Sequence, residues 1–381
     1  MTEIEDPRSF VAPAVTPHDA AEVYGLADAS LAATTGQDAQ AADDALDERI
    51  DTLLAAADPG AAGRRLAAWL AGAPSTATYR HGWRALVRRS ARPSDDGASV
   101  TLFAIPLVIV AGVAGTEGPV TLPGTIADVR ALADTLVQHG ALAGNRSFSL
   151  ADALVAPDAL DCAALPGLLA ARQRVFAAGE PLALAPAPLL LPAGETVHLR
   201  FVVGSAIVGD GQDLTRDATT GRWGLPVTRL LSAQWGMCGA TLLVLPRPAA
   251  PPLAAVTQGR TAQRDASAQV FASNAVRQLR ASFGEPSAVI SAHRAADAPG
   301  GGELRLSLSA PFSPRDAYGF RCPILPHERA ADAALMLADL LRDARVADVH
   351  VVAGVHDDRD PVTGGPLLFK PATLPAASRA H

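Results

Sequence analysis

Beyond residue 99 the chain alternates short apolar runs, rich in Val, Ile and Leu, with longer stretches in which apolar positions recur every three or four residues. Such alternation marks strands interleaved with amphipathic helices, the pattern of α/β and α+β domains. It predicts strands at 100–110, 148–154, 197–208, 240–245, 288–291, 303–309, 319–324 and 346–352, and helices at 126–139, 165–178, 226–235, 262–283 and 328–343. The helix ending at 283 carries its own stop. Gly284 supplies a left-handed cap and Pro286 bars continuation.

Before residue 100 the pattern is helical. A proline-containing acidic arm at 1–17 precedes Ala- and Leu-rich segments at 20–31, 43–57 and 61–70, with Asp58-Pro59-Gly60 as a break. The expected architecture is therefore α/β or α+β: a helical N-terminal region followed by mixed sheets with packed helices. Its parts are the arm at 1–17, a helical region at 18–95, a first α/β unit at 96–248, a second at 253–372 and a tail at 373–381. The proline-dense segments 181–192 and 246–252 read as extended connectors, the second separating the two units. Pro106 and Pro323 each withdraw one ladder donor, which places them on edge strands, at strand ends or at bulges. An internal duplication of strand, helix and strand is also suggested. Phe103-Ala-Ile-Pro106-Leu-Val aligns with Phe320-Arg-Cys-Pro323-Ile-Leu, and Leu132-Ala-Asp134-Thr-Leu136 with Leu337-Ala-Asp339-Leu-Leu341.

This layout resembles a family of uncharacterised bacterial proteins of about the same length, over residues 50–370. The shared features are the helical N-terminal region, the buried strand with Ile-Pro, and the C-terminal strand-helix-strand unit. The resemblance rests on no signature motif and implies no activity or site residue.

Composition narrows the classes. With 381 residues, 49% of them hydrophobic and 19% charged, the chain is globular and long enough for two domains. Of its 32 basic residues only Lys370 is lysine, so arginine enrichment alone carries little weight. The net charge of −7 disfavours a general polyanion binder. Cys162, Cys238 and Cys322 are scattered and odd in number, which fits a reducing compartment better than a disulfide scaffold. Residues 1–6 offer neither a basic nor an apolar signal region, and the apolar run at 100–114 is too short to span a bilayer and contains Pro106. A cytoplasmic protein without a membrane span is expected.

Charge is segregated along the chain. Residues 1–51 hold twelve acids against Arg8 and Arg49, whereas 61–94 hold seven arginines, one histidine and no acid. If 79–92 is helical, Arg80, Arg84 and Arg88 form one stripe at i, i+4 and i+8, with Tyr79 or Trp83 available to stack. This stripe either binds a partner or folds against the chain's own acidic segment. The second candidate is the C-terminal run His350, His356, Asp357, Asp358 and Asp360, whose imidazoles and carboxylates suit a divalent ion. His350 and His356 would share a strand face. Cys238 lies in Gln234-Trp-Gly-Met-Cys238, but its setting is wrong for a cysteine protease and reads as a buried thiol. The glycines at 204–211 form no phosphate loop, and no GxSxG, HExxH or EF-hand pattern occurs.

These readings converge on a non-enzymatic macromolecular interaction or regulatory module. A protein partner is expected ahead of a nucleic acid, contacting Arg80, Trp83, Arg84 and Arg88. The alternative is a metal-assisted hydrolase or nuclease built on the C-terminal His/Asp loop. No cofactor is expected apart from a divalent ion there.

Overall fold

The computed structural model describes residues 18–54, 66, 69–70, 72–91, 99–113, 120–143, 148–160, 168, 182–208, 222–235, 240–295, 302–310, 313–325 and 327–356. The acidic arm, the 373–381 tail, the helix expected at 165–178 apart from Leu168, and Asp357, Asp358 and Asp360 fall outside them. The chain divides into two compact units, Pro17–Gln263 and Arg264–His381, the latter together with Met1–Thr16. The fold is of the mixed α/β kind, with the helical N-terminal region preceding the sheets.

In the first unit, α1 (His18–Ala32), α2 (Gly36–Leu54) and α3 (Thr76–Ala91) form a bundle. Side chains set two of the helix starts. Thr35 Oγ1 accepts from the Asp38 amide at 3.1 Å, and Ser75 Oγ accepts from the Thr78 amide at 3.0 Å. The bundle buries Val23, Leu46, Ile50, Leu70 and Leu86 around one core.

The sheet of this unit contains β1 (Ser99–Val113), β3 (Phe148–Val155), β5 (Gly194–Val208) and β6 (Thr241–Pro246), in the order β3-β5-β1-β6. A short ribbon pairs β2 (Val120–Leu122) with β4 (Leu189–Leu191). The helices α4 (Val129–Gln138) and α5 (Gly224–Trp235) are the crossovers. Both β1 and β3 run antiparallel to β5, so they are parallel to each other with β5 between. By the same logic β5 and β6 are parallel with β1 between. Two interleaved split β-α-β units in this strand order make a ferredoxin-like sandwich. Its helix-facing core joins Phe103, Ile105, Leu107 and Ile109 of β1 with Leu132, Leu136, Val227, Leu231 and Trp235. On the opposite face Leu199 and Phe201 pack under Gly259 of α6 (Pro252–Phe283), where an added methyl would lie 2.9 Å from Leu199.

Pro106 departs from expectation, since it sits mid-strand in β1, an interior strand. Its parity resolves the conflict. Ala104 exchanges backbone hydrogen bonds with Ala250, and the Pro106 carbonyl accepts from the Arg247 amide at 2.8 Å. The donor that proline lacks would therefore point toward the side where β6 has just ended at Pro246. Segment 246–252 is accordingly no free connector: Arg247 and Ala250 bond back to β1, and Pro252 opens α6, a favoured first-turn position.

In the second unit β7 (Ser287–Arg294), β8 (Gly302–Ala310) and β9 (Ser313–Pro323) form an antiparallel meander, and α7 (Ala330–Asp343) returns the chain to place β10 (Asp348–His356) parallel to β7. The order is β10-β7-β8-β9. Pro323 closes an edge strand, as expected, and Gly284 has φ +91° after α6. One face of the sheet sets Ile290, Leu304, Leu306 and Cys322 against α6 and α7. The two strand-helix-strand segments do not occupy equivalent places. One strand separates β1 from β3, and two separate β9 from β10.

Candidate functional site

The arginine stripe lies on α3. Tyr79, Ala85 and Leu86 face the bundle core, and Trp83 is half-buried with its ring stacked on Tyr79 at 5.9 Å and 11°. Trp83 is thus engaged within the bundle rather than presented to a partner. The acidic α2 supplies the opposing face. His81 meets Asp43 at 2.7 Å, Arg88 meets Asp47 through two bonds of 3.1 and 2.6 Å, and Arg89 grips Asp51 in a forked pair. Asp43, Asp47 and Asp51 are spaced i, i+4 and i+8, so one stripe of carboxylates meets His81, Arg88 and Arg89. The Ser30 hydroxyl, and after it His81, holds the Asp43 carboxyl below its ordinary range. Arg80 and Arg84 remain on the exposed side of α3, and Arg84 forms no ion pair among the described residues.

The C-terminal histidines lie on β10 but are not brought together. His350 bonds Asp348 at 2.7 Å, whereas the His356 ring stands 5.5 Å from that of His293 on β7. Their register partners, Val289 and His293, are four residues apart on β7, roughly 13 Å at the usual rise. An irregularity between Val351 and Val355, with Gly354 at φ +80°, lengthens the path further. Among the described residues no group of three His, Cys, Asp or Glu side chains could hold a metal.

Sequence reasoning missed the polar residues behind the apolar face of this sheet. Ser291 Oγ and His293 Nε2 lie 2.8 Å apart, and Glu303 bridges Arg305 and Arg321, with both Nε–O distances 2.6 Å. These residue types alternate with apolar ones in β7 and β8, a pattern that ordinarily means a solvated face. Here Ser291, His293, Glu303 and Arg305 are each at most 2% exposed. The Ser291–His293 and Glu303–Arg305 contacts run along β7 and β8, and the Arg321–Glu303 bond crosses from β9 to β8.

Cys322 lies near a second buried pair, Arg264 with Glu328, in which Arg264 Nη1 also donates to the Pro323 carbonyl at 3.4 Å. Burial pushes the Cys322 thiol up to about 12. It should stay unmodified by iodoacetamide at pH 8 until the protein is unfolded, as site-resolved mass spectrometry would read. Rapid labelling in the folded state would contradict this burial. Cys162 and Cys238 lie outside the described residues. Gly204 is a packing glycine, since a side chain there would collide with Phe103, Leu150 and the Ser149 carbonyl.

The described residues include no helix long and apolar enough to cross a membrane, and the run at 100–113 is the strand β1. No protein-family model, curated protein or solved structure matches this chain.

Proposed function

We propose that this chain is a soluble, cytoplasmic, non-enzymatic interaction or regulatory module whose contact element is the exposed side of α3. The carrying observation is that Arg80 and Arg84 stand one turn apart on the exposed side of a helix braced by α1 and α2. A braced helix presents its cations at little further cost in order, which favours recognition of a carboxylate-bearing surface. The overall negative charge favours a protein partner over a nucleic acid.

The test reverses Arg80 and Arg84 to Glu and leaves Arg88, already paired with Asp47, in place. Affinity capture from extract should lose several-fold of its specific recovery, most clearly at low salt, while the circular dichroism spectrum and melting curve stay unchanged. Equal recovery by the folded variant would refute the reading.

A further inference from the structure

On β5, Thr196, His198 and Arg200 occupy alternate positions and share one face of the strand, whereas Glu195 alternates to the other. Their partners on β1 are Ala111, Ile109 and Leu107, so the neighbouring wall is apolar. On the other side the pairing of β3 with β5 stops at Val155 and Phe201, and among the described residues no strand pairs with 194–200 there. The three side chains are half-buried and remain open to solvent. Thr196 Oγ1 and His198 Nε2 are 2.8 Å apart. Arg200 donates from Nη1 to the Leu199 carbonyl at 2.9 Å, from Nε to the Ala187 carbonyl at 3.2 Å and from Nη2 to the Pro188 carbonyl at 3.4 Å.

All of those acceptors are neutral. Neither Arg200 nor His198 has an ion-pair partner among the described residues, which is unusual for a partly buried guanidinium beside an imidazole. Burial first, and then Arg200, holds His198 below its ordinary range, and burial lowers Arg200 as well. Three of the five N–H donors of the guanidinium are committed to carbonyls, leaving two for a ligand.

We propose that Thr196, His198 and Arg200 form a binding site for an oxyanion, the carboxylate or phosphate group of a small ligand. The guanidinium supplies charge-assisted bonds, protonated His198 a second cationic donor, and the Thr196 hydroxyl a neutral one. The site is separate from α3, and its failure would leave the function proposed above untouched.

Imidazole NMR signals of the intact chain test it, with inorganic phosphate and succinate as probes in separate titrations and His198→Gln assigning the resonance. Either probe, matched against sodium chloride of equal ionic strength, should move the His198 signal saturably and raise its titration midpoint. The probe that succeeds identifies the ligand class. Arg200→Gln should weaken the response at least about tenfold and, without any anion, raise the His198 midpoint because a neighbouring cation is gone. Should Arg200→Gln unfold, Thr196→Val retains every Arg200–carbonyl bond and should still weaken binding several-fold. A response no greater than that to chloride, or one unchanged in a folded variant, would overturn the site.

Discussion

Glu303→Ala should lower the stability of the second unit by about 3–5 kcal/mol, the range for removing one partner of a buried ion pair. The loss comes mainly from Arg305, whose side chain is 1% exposed and would keep its charge with no carboxylate bonded to its Nε. Arg321 is half exposed, and its bond to Glu303 adds no more than about 1 kcal/mol. All four tryptophans, Trp69, Trp83, Trp223 and Trp235, belong to the first unit. A urea titration should therefore lose part of its far-ultraviolet dichroism at lower denaturant while tryptophan fluorescence unfolds where it did before. An unmoved dichroism transition would mean that the Glu303 bridge contributes little.

Gly204→Ala should give the mirror result, an earlier fluorescence transition from the first unit. Gly204 lies opposite Phe103 on one side and Leu150 on the other, and the Phe103 ring covers it. The new methyl would stand 2.7 Å from the Ser149 carbonyl oxygen and 2.8 Å from Leu150. A carbonyl in a sheet ladder cannot turn aside, so the cost belongs near the top of the ~1–3 kcal/mol range for overpacking. Phe103→Leu in the same chain should recover part of it. A silent Gly204→Ala would show that the sheet yields more readily than its register suggests.

Period made much of this fold legible. The apolar run of β1 is long enough, and rich enough in Val and Ile, to be read as a strand buried on both faces, and the shorter apolar runs of β5, β7 and β8 still read as strands. The Gly284 and Pro286 stop placed the end of α6. Its start was not legible, because Pro251-Pro252 looks like a connector unless the second proline is known to be the first helical residue. Neither β2 nor β4 could be read, since three residues carry no period. The site divides similarly. Opposed charge blocks in adjacent segments foretold that α3 could meet α2, but not that Arg88 and Arg89 would pair with it while Arg84 forms no ion pair among the described residues. Ser291, Glu303 and Arg305 gave no signal, because burial of a polar strand face depends on what lies over it. The grouping of His198 with Arg200 required knowing where β3 ends.

The strand order also has a consequence for synthesis. The central strand of the first sheet is the first to be made, and its two neighbours are among the last. About eighty residues separate Val113 from Gly194, where β5 begins, which at ribosomal rates of roughly 5–20 residues per second is roughly 4–16 s. For that interval an apolar run with both edges unpaired is open to association with other nascent chains. Pro106 interrupts that run at its middle, withholding one ladder donor from any intruding strand, and in the finished sheet its missing donor falls where β6 has stopped. One proline thus withholds a donor from the unpaired strand and takes no bond from β6 in the finished sheet.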